Sequence, residues 1–235
     1  MSETLTVAWC DNGMVDGKFM QGVTDLMLHG HIDIVSTLRS HGNQIARQRE
    51  VLINHWYNEN KSDWLLWVDS DVVISPEKFQ ILWEAKDEEK RPIVNGVYFI
   101  SYQSEESLMI PHPALFNWNE DGISVMKRMP KNQLIQVGAA GMGFTLIHRS
   151  VVTKIFEKLG KVALYTEANA HKKFTGEDIY FYSLCKIAGI PVYAHTGATV
   201  QHMKRFSYDE NYYNAFVQED DRRKQQQPKK VKGKK

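Results

Sequence analysis

Residues 64–68, Trp-Leu-Leu-Trp-Val, form an apolar run with no polar break, and Asp69-Ser70-Asp71 follows at once. Successive side chains of a strand point to opposite faces, so an unbroken run needs apolar cover on both sides. Such a segment reads as a strand in the middle of a parallel sheet. The run ends in charge, which puts both carboxylates at the carboxyl end of the strand. In open α/β sheets ligands bind at that end. Two carboxylates between apolar walls need a cation or hydrogen-bond donors, which points to a metal and nucleotide site. A second reading needs no ligand: a polar turn, with Asp71 or Ser75 capping a helix at Ser75-Pro76-Glu77.

The rest of the chain is compatible with one sizeable core. It has 235 residues, 43% of them apolar, which suits a single domain over residues 1–221. No apolar run approaches the roughly 18 residues of a membrane helix, and Met1-Ser2-Glu3-Thr4 has neither the basic nor the long apolar part of a signal peptide. Cys10 and Cys185 each lie in an apolar segment. They read as reduced core residues of a cytoplasmic protein, with no disulfide framework and no zinc spacing. The net charge of +1 hides an asymmetry, because residues 222–235 carry eight Lys or Arg and no acid. The body that remains has 21 basic and 28 acidic residues, a charge of −7. The tail reads as a disordered basic extension, free in solvent or touching nucleic acid or an anionic surface.

The elements alternate. Residues 5–10 read as a strand closed by Asp11-Asn12-Gly13, and residues 16–27 have helical spacing. A short strand over 32–36 and a loop over 39–43 precede a helix over 44–57. On that helix Ile45, Leu52 and Trp56 share a face with Arg49, while Arg47 points roughly 200° away. An arginine on an apolar stripe snorkels or meets an anion. Its partner is either a carboxylate such as Asp69 or a bound diphosphate, which a guanidinium fork suits. A helix over 75–85 starts with Ser75 as N-cap and Pro76 in its first turn. A buried strand over 92–100, a polar loop over 101–112 and a hairpin around residues 119–122 follow.

Val137-Gly138-Ala139-Ala140-Gly141-Met142-Gly143-Phe144 leaves bare backbone between apolar segments. Glycine serves where backbone approaches a ligand closely or takes positive φ. The spacing is not the dinucleotide fingerprint, since a strand and not a helix follows. A helix over 150–159 stops at Gly160. Gly176-Glu177-Asp178 opens the last main helix, where acids are favoured by the helix dipole alone. A strand over 192–194 leads to His195 and His202.

This order of Arg49 helix, Asp69-Ser70-Asp71 strand end, glycine-rich turn, Glu177-Asp178 helix start and late histidine resembles the GT-A superfamily of nucleotide-sugar glycosyltransferases. The resemblance covers about residues 5–203. It implies an α/β fold with a mixed, mostly parallel, Rossmann-like central sheet flanked by helices. It also implies the roles. Asp69-Ser70-Asp71 matches the Asp-x-Asp motif, in which the first Asp faces the ribose and the last binds Mn²⁺ or Mg²⁺ on the donor diphosphate. Gly141 and Gly143 resemble the loop beside the donor sugar, and Arg49 and Trp9 are assigned with them to donor binding. Glu177-Asp178 resembles the xED motif, whose Asp is the base of inverting members. His202 resembles the metal-binding histidine near the C-terminus, with His195 as the competing choice. Glu50 stands where an Asn is common, which leaves Arg47 as an alternative to Arg49.

A hard dication suits a doubly charged leaving group, and a carboxylate suits removal of the acceptor proton. At a helix N-terminus Asp178 is expected to stay ionised. The expected donor is a UDP-sugar. The specific acceptor expectation is a hydroxymethylated base in DNA, as for small glycosyltransferases used by phages, which would put the chain in a host cytoplasm. The acidic body opposes a broad DNA-binding face, and glycan or protein acceptors stay open. Two other classes compete: a two-metal nuclease or nucleotidyltransferase with Asp178 as third carboxylate, and a non-catalytic sugar-nucleotide-binding module.

Overall fold

A computed structural model describes residues 3–103, 109–120, 122–170 and 173–204, with residues 210, 213–214, 217–219 and 221–222. All but Arg222 of the basic tail lies outside the described residues. The chain divides into two units, Met1–Ile100 with His112–Met203 and Ser101–Pro111 with Lys204–Lys235. Every candidate site residue belongs to the first.

In chain order the elements are β1 (Thr4–Asp11), α1 (Gly17–His29), β2 (Asp33–His41), α2 (Ile45–Asn58), β3 (Trp64–Val68), β4 (Val72–Val73), α3 (Pro76–Ala85), β5 (Ile93–Val97), β6 (Phe99–Gln103), β7 (Met109–Pro113), β8 (Leu115–Asn119), β9 (Gly122–Val125), β10 (Leu134–Val137), β11 (Ala139–Ala140), β12 (Phe144–His148), α4 (Ser150–Leu159), β13 (Ala168–Ala170), β14 (Lys173–Thr175), α5 (Glu177–Ile187), β15 (Val192–Thr199) and β16 (Gln201–His202). Seven strands form the main sheet in the order β10-β15-β5-β12-β3-β1-β2. Five run one way, while β10 and β12 run against them.

β3 is central and fully buried, as its apolar run requires. Leu65 and Trp67 face a core with Leu52, Ile53 and Trp56 of α2, Val152 of α4 and Phe181 of α5. Trp64, Leu66 and Val68 face the other core, with Phe19 and Leu26 of α1 and Phe79 of α3. Two cores meeting on one strand explain the missing alternation. One neighbour of β3 departs from the parallel expectation, since β12 pairs with it antiparallel.

The start of α3 at Pro76 with Ser75 as N-cap, the end of α4 at Gly160 and the start of α5 after Gly176 follow the local signals. Other expectations are corrected. The second strand runs to His41, not Ser36, because β1 continues to Asp11 and pairs with it throughout. The strand expected over 92–100 breaks at Tyr98, and β6 begins after it. The segment 101–112, expected as a loop, contributes residues to β6 and β7, which pair with each other; residues 104–108 lie outside the described set. The last long strand continues past Ala194 to Thr199, so His195 lies inside β15. Ile45, expected on the buried face of α2, is 37% exposed. Among the described residues, no helix is long and apolar enough to cross a membrane.

Candidate active site

The carboxyl end of β3 meets α2 and α5 through Arg49. Its Nη2 donates to Asp69 Oδ1 at 2.7 Å, and its Nε lies 3.4 Å from Glu177 Oε1. The guanidinium carbon stands 5.5 Å from the centre of the Trp67 ring. The side chain is only 2% exposed, and Nη1 has no hydrogen-bond partner among the described residues. Burial alone lowers its pKa, but the Asp69 carboxylate and the other acidic groups around it more than reverse this and hold it up. Arg49 therefore reaches the site, and Arg47 is exposed on the other side of the helix. The carboxylate alternative read from the sequence is the contact observed. Glu177 does more than complement a helix dipole, because it is the second anion beside a buried cation.

Asp71 and His202 come together by strand pairing. β4 and β16 form a short antiparallel ladder in which His202 faces Val72, and Met203 N–H donates to Asp71 O at 2.7 Å. His202 Nε2 then lies 3.2 Å from Asp71 Oδ2. Its Nδ1 is 2.9 Å from Phe99 O. A carbonyl only accepts, so Nδ1 carries the hydrogen and Nε2 presents a lone pair to the carboxylate unless a proton or cation lies there. The turn between the acids is fixed by Asp16 N–H donating to Ser70 O at 3.2 Å. His195 is elsewhere: it pairs with Leu134, and its Nδ1 accepts from Gly197 N–H at 3.1 Å.

The glycine-rich turn has a different local reason from the one expected. Neither Gly141 nor Gly143 takes positive φ. A Cβ on Gly143 would fall 2.7 Å from Asp69 Oδ2, and one on Gly141 would fall 2.0 Å from the Tyr98 hydroxyl. The bare backbone thus makes room for two side chains of this protein. Asp69 N–H also donates to Gly143 O at 3.0 Å, which extends the β3–β12 ladder to the carboxylate.

Asp178 follows Glu177 at the start of α5, and its Oδ1 accepts from Ile179 N–H at 2.7 Å. Burial, with the Glu177 carboxylate next to it, pushes its pKa up to about 6. The carboxyl is still mainly ionised at neutral pH, as the helix position led one to expect, but its pKa moves up and not down, because desolvation outweighs the dipole.

Trp9 is not brought to this cluster. It packs with the core on the α1 side, its ring edge-on to Phe19 at 5.8 Å. The sequence reading missed Tyr98 and the Phe99 carbonyl, since neither has a local signature. It also missed the pair of Asp11 and Arg39, at 2.6 and 2.9 Å, near the ends of β1 and β2. Glu50 accepts from the Leu164 and Tyr165 N–H groups, both at 2.8 Å. That contact holds Tyr165 stacked on Phe181 and edge-on to Trp67, next to Arg49. The other oxygen of Glu50, Oε1, accepts from Asn54 Nδ2 at 2.8 Å, so Glu50 uses two acceptor oxygens where an amide would offer one.

No family model matches the chain, and no curated protein does. Solved structures do. A197 from STIV is 24% identical over 85% of this chain and 86% of that one, with a TM-score of 0.55. GalNAc-T7, crystallised with UDP, GalNAc and Mn²⁺, is 9% identical, with 92% of this chain and 48% of that one covered and a TM-score of 0.55. This chain therefore spans about half the length of the GalNAc-T7 chain. A glycosyltransferase involved in glycosylation of the major capsid of PBCV-1 matches with a TM-score of 0.43 at 13% identity, over 90% of this chain and 98% of that one. The fold is GT-A: a mixed α/β sheet flanked by helices.

Proposed function

We propose that this chain transfers a sugar from a nucleotide-diphosphate donor to an acceptor hydroxyl, with Mn²⁺ or Mg²⁺ bound by Asp71 and His202. One observation carries this reading. His202 Nε2 faces Asp71 Oδ2 at 3.2 Å while Nδ1–H is committed to Phe99 O. With Nδ1–H committed to the carbonyl, Nε2 faces the carboxylate, a place that either a proton on Nε2 or a bound cation fills, and a histidine fixed through its other nitrogen is how proteins prepare a metal ligand. Among the described residues no group of three His, Cys, Asp or Glu could hold a metal. Two protein ligands suit a cation whose other positions are filled by diphosphate oxygens and water. When bound, the cation supplies Lewis-acid neutralisation of the departing diphosphate.

The protein's own groups do the rest. Arg49 holds Asp69 in one orientation at the strand end, where it faces the nucleotide side of the donor, and Gly143 leaves space for the carboxylate. Arg49 is assigned to Asp69 and not to a phosphate, because it is almost wholly buried. Asp178 takes the proton of the acceptor hydroxyl as that oxygen forms its bond to the anomeric carbon. The bond from that carbon to the diphosphate oxygen breaks, and the electron pair leaves with the nucleotide. A single in-line displacement inverts the anomeric centre. A base with a pKa of about 6 is ionised above neutrality yet basic enough to accept the proton.

The GalNAc-T7 structure contains UDP, GalNAc and Mn²⁺, and a UDP-sugar is the donor we propose. The proposed acceptor is a hydroxymethylated base in DNA, on the strength of the basic tail over residues 222–235. The nuclease reading is weaker, since Asp69 is engaged by Arg49 and does not join Asp71 in a shared metal cluster. The test is a donor screen: UDP-, GDP- and other sugar nucleotides with Mn²⁺, scored by nucleotide release and product mass, on hydroxymethylated and unmodified DNA. Release with a UDP-sugar that rises only with hydroxymethylated DNA supports both donor and acceptor. Release without transfer overturns the acceptor, and cleavage of DNA without a sugar nucleotide overturns the reaction class.

A further inference from the structure

Tyr98 sits where the strand expected over residues 92–100 breaks, between β5 and β6, and no motif in the sequence marks it. It is only 6% exposed. Its hydroxyl accepts from Gly143 N–H at 3.4 Å, and its carbonyl accepts from Ala114 N–H at 2.9 Å. The ring stands edge-on to the His202 imidazole with centroids 4.9 Å apart and planes at 72°. The next residue, Phe99, supplies the carbonyl that holds His202 Nδ1. Two consecutive residues therefore fix the imidazole in two ways, one through its edge and one through its ring.

The glycines make the same point from the other side. A methyl group on Gly141 would fall 2.0 Å from the Tyr98 hydroxyl, and one on Gly143 would fall 3.1 Å from Tyr98 Cε1 and 2.7 Å from Asp69 Oδ2. The turn is shaped to receive this ring beside Asp69. Ordinary core packing does not require a phenol end against bare backbone at a carboxylate.

We propose that Tyr98 is a positioning residue for His202, its aromatic ring holding the imidazole so that Nε2 points at the cation shared with Asp71. The inference rests on the metal-dependent reading above. It assigns the effect to the ring, with the hydroxyl serving to seat the ring on the glycine turn. The role is in metal binding and needs no turnover to be seen. Groups that orient metal ligands in this way typically change affinity by about 10–100-fold when removed.

The experiment measures Mn²⁺ affinity by electron paramagnetic resonance on the full chain, without and with UDP. It also records the nitrogen modulation that a coordinated imidazole gives to the Mn²⁺ echo. Wild type, Tyr98→Phe and Tyr98→Leu are compared, with His202→Ala as the reference for lost modulation. The expected result is modulation in wild type and in Tyr98→Phe. Tyr98→Leu should lose it and bind Mn²⁺ about 10-fold or more weakly while its near-ultraviolet circular dichroism shows a folded core. If Tyr98→Leu does not fold, Tyr98→Met, which keeps apolar volume without an aromatic face, takes its place. Retained modulation and affinity in the folded aliphatic variant overturn the proposal, and loss in Tyr98→Phe as well overturns the role given to the ring. Absence of Mn²⁺ binding by the wild-type chain is the separate outcome that overturns the metal reading itself.

Discussion

Arg49 donates to Asp69 across 20 residues of sequence, at 2.7 Å, from a side chain that is 2% exposed. Removing one partner of a buried pair leaves the other charge without compensation, at a cost of about 3–5 kcal/mol. Asp69 is 22% exposed and recovers part of this from water. Arg49→Met is therefore expected to destabilise by about 2–3 kcal/mol, below that range. Glu177→Gln in the same chain should return part of the loss, since one stranded carboxylate is gone. Urea unfolding of the two singles and the double measures the coupling. Additive effects would mean that Arg49 and Glu177 do not act as a unit.

Gly143→Ala should abolish donor binding in a chain that still folds. Its methyl would collide with Asp69 Oδ2 and push the carboxylate off Arg49. Gly17→Ala is the control, because nothing lies within 4 Å of that position and its φ is not positive. Calorimetric titration with sugar nucleotide, beside a melting curve for each variant, checks the pair. Normal donor affinity in Gly143→Ala would remove Asp69 from the donor side.

Asp178→Asn separates stability from catalysis, with a definite sign. The folded pKa is raised to about 6, so the neutral form is favoured in the fold. The contribution of this group to stability is present below its unfolded pKa of about 3.9 and is lost as pH rises through 6. Asn cannot ionise, so the variant should melt higher than wild type at pH 8, and the difference should vanish near pH 4. A helix-dipole role alone predicts the opposite sign at pH 8. Sugar transfer should fall by about 10²–10⁴-fold while donor affinity barely changes. A variant that transfers sugar at the normal rate would show that the base lies elsewhere.

Chelator should stop the reaction, and Mn²⁺ or Mg²⁺ should restore it. Asp71→Ala should lose metal-dependent donor binding, because a carboxylate is the hard ligand for a hard cation. His202→Ala should weaken it less, as water can take the place of the imidazole. His195→Ala should leave metal affinity unchanged, since His195 is turned to Gly197 in β15. Full activity in chelator would rule out the cation.

Truncation after residue 221 should leave donor hydrolysis intact, because among the described residues the core clusters end at Val200. If DNA is the acceptor, the same truncation should weaken DNA binding and flatten its dependence on salt, as eight basic residues leave with the tail. Binding measured from low to moderate salt gives the slope, and an unchanged slope removes the tail from the argument.

What could be read from the sequence was local. The unbroken run of β3 required cover on both faces, and the two cores provide it. Ser75 with Pro76, Gly160, and Gly176 before Glu177 marked helix ends, because capping is settled within one turn. Asp69 and Asp71 at a strand end marked the place where Arg49 and His202 converge.

The partners were decided by tertiary structure. The length of β2 depends on how far β1 continues beside it, and no periodicity within residues 33–41 states that. Arg49 finds Asp69 only because α2 packs against β3, and Gly143 is bare because Asp69 arrives beside it from another strand. His195 and His202 are equivalent in sequence. The β4–β16 ladder chooses between them by bringing His202 alongside Asp71, and a carbonyl 103 residues away fixes its hydrogen. Asp178 shows the same limit in electrostatics. Its helix position was legible and favoured the ion, but its burial was not, and the loss of hydration on packing is the larger effect. Sequence spacing determines which groups a turn or a face can present, whereas packing between distant segments determines which groups meet and how much water they keep.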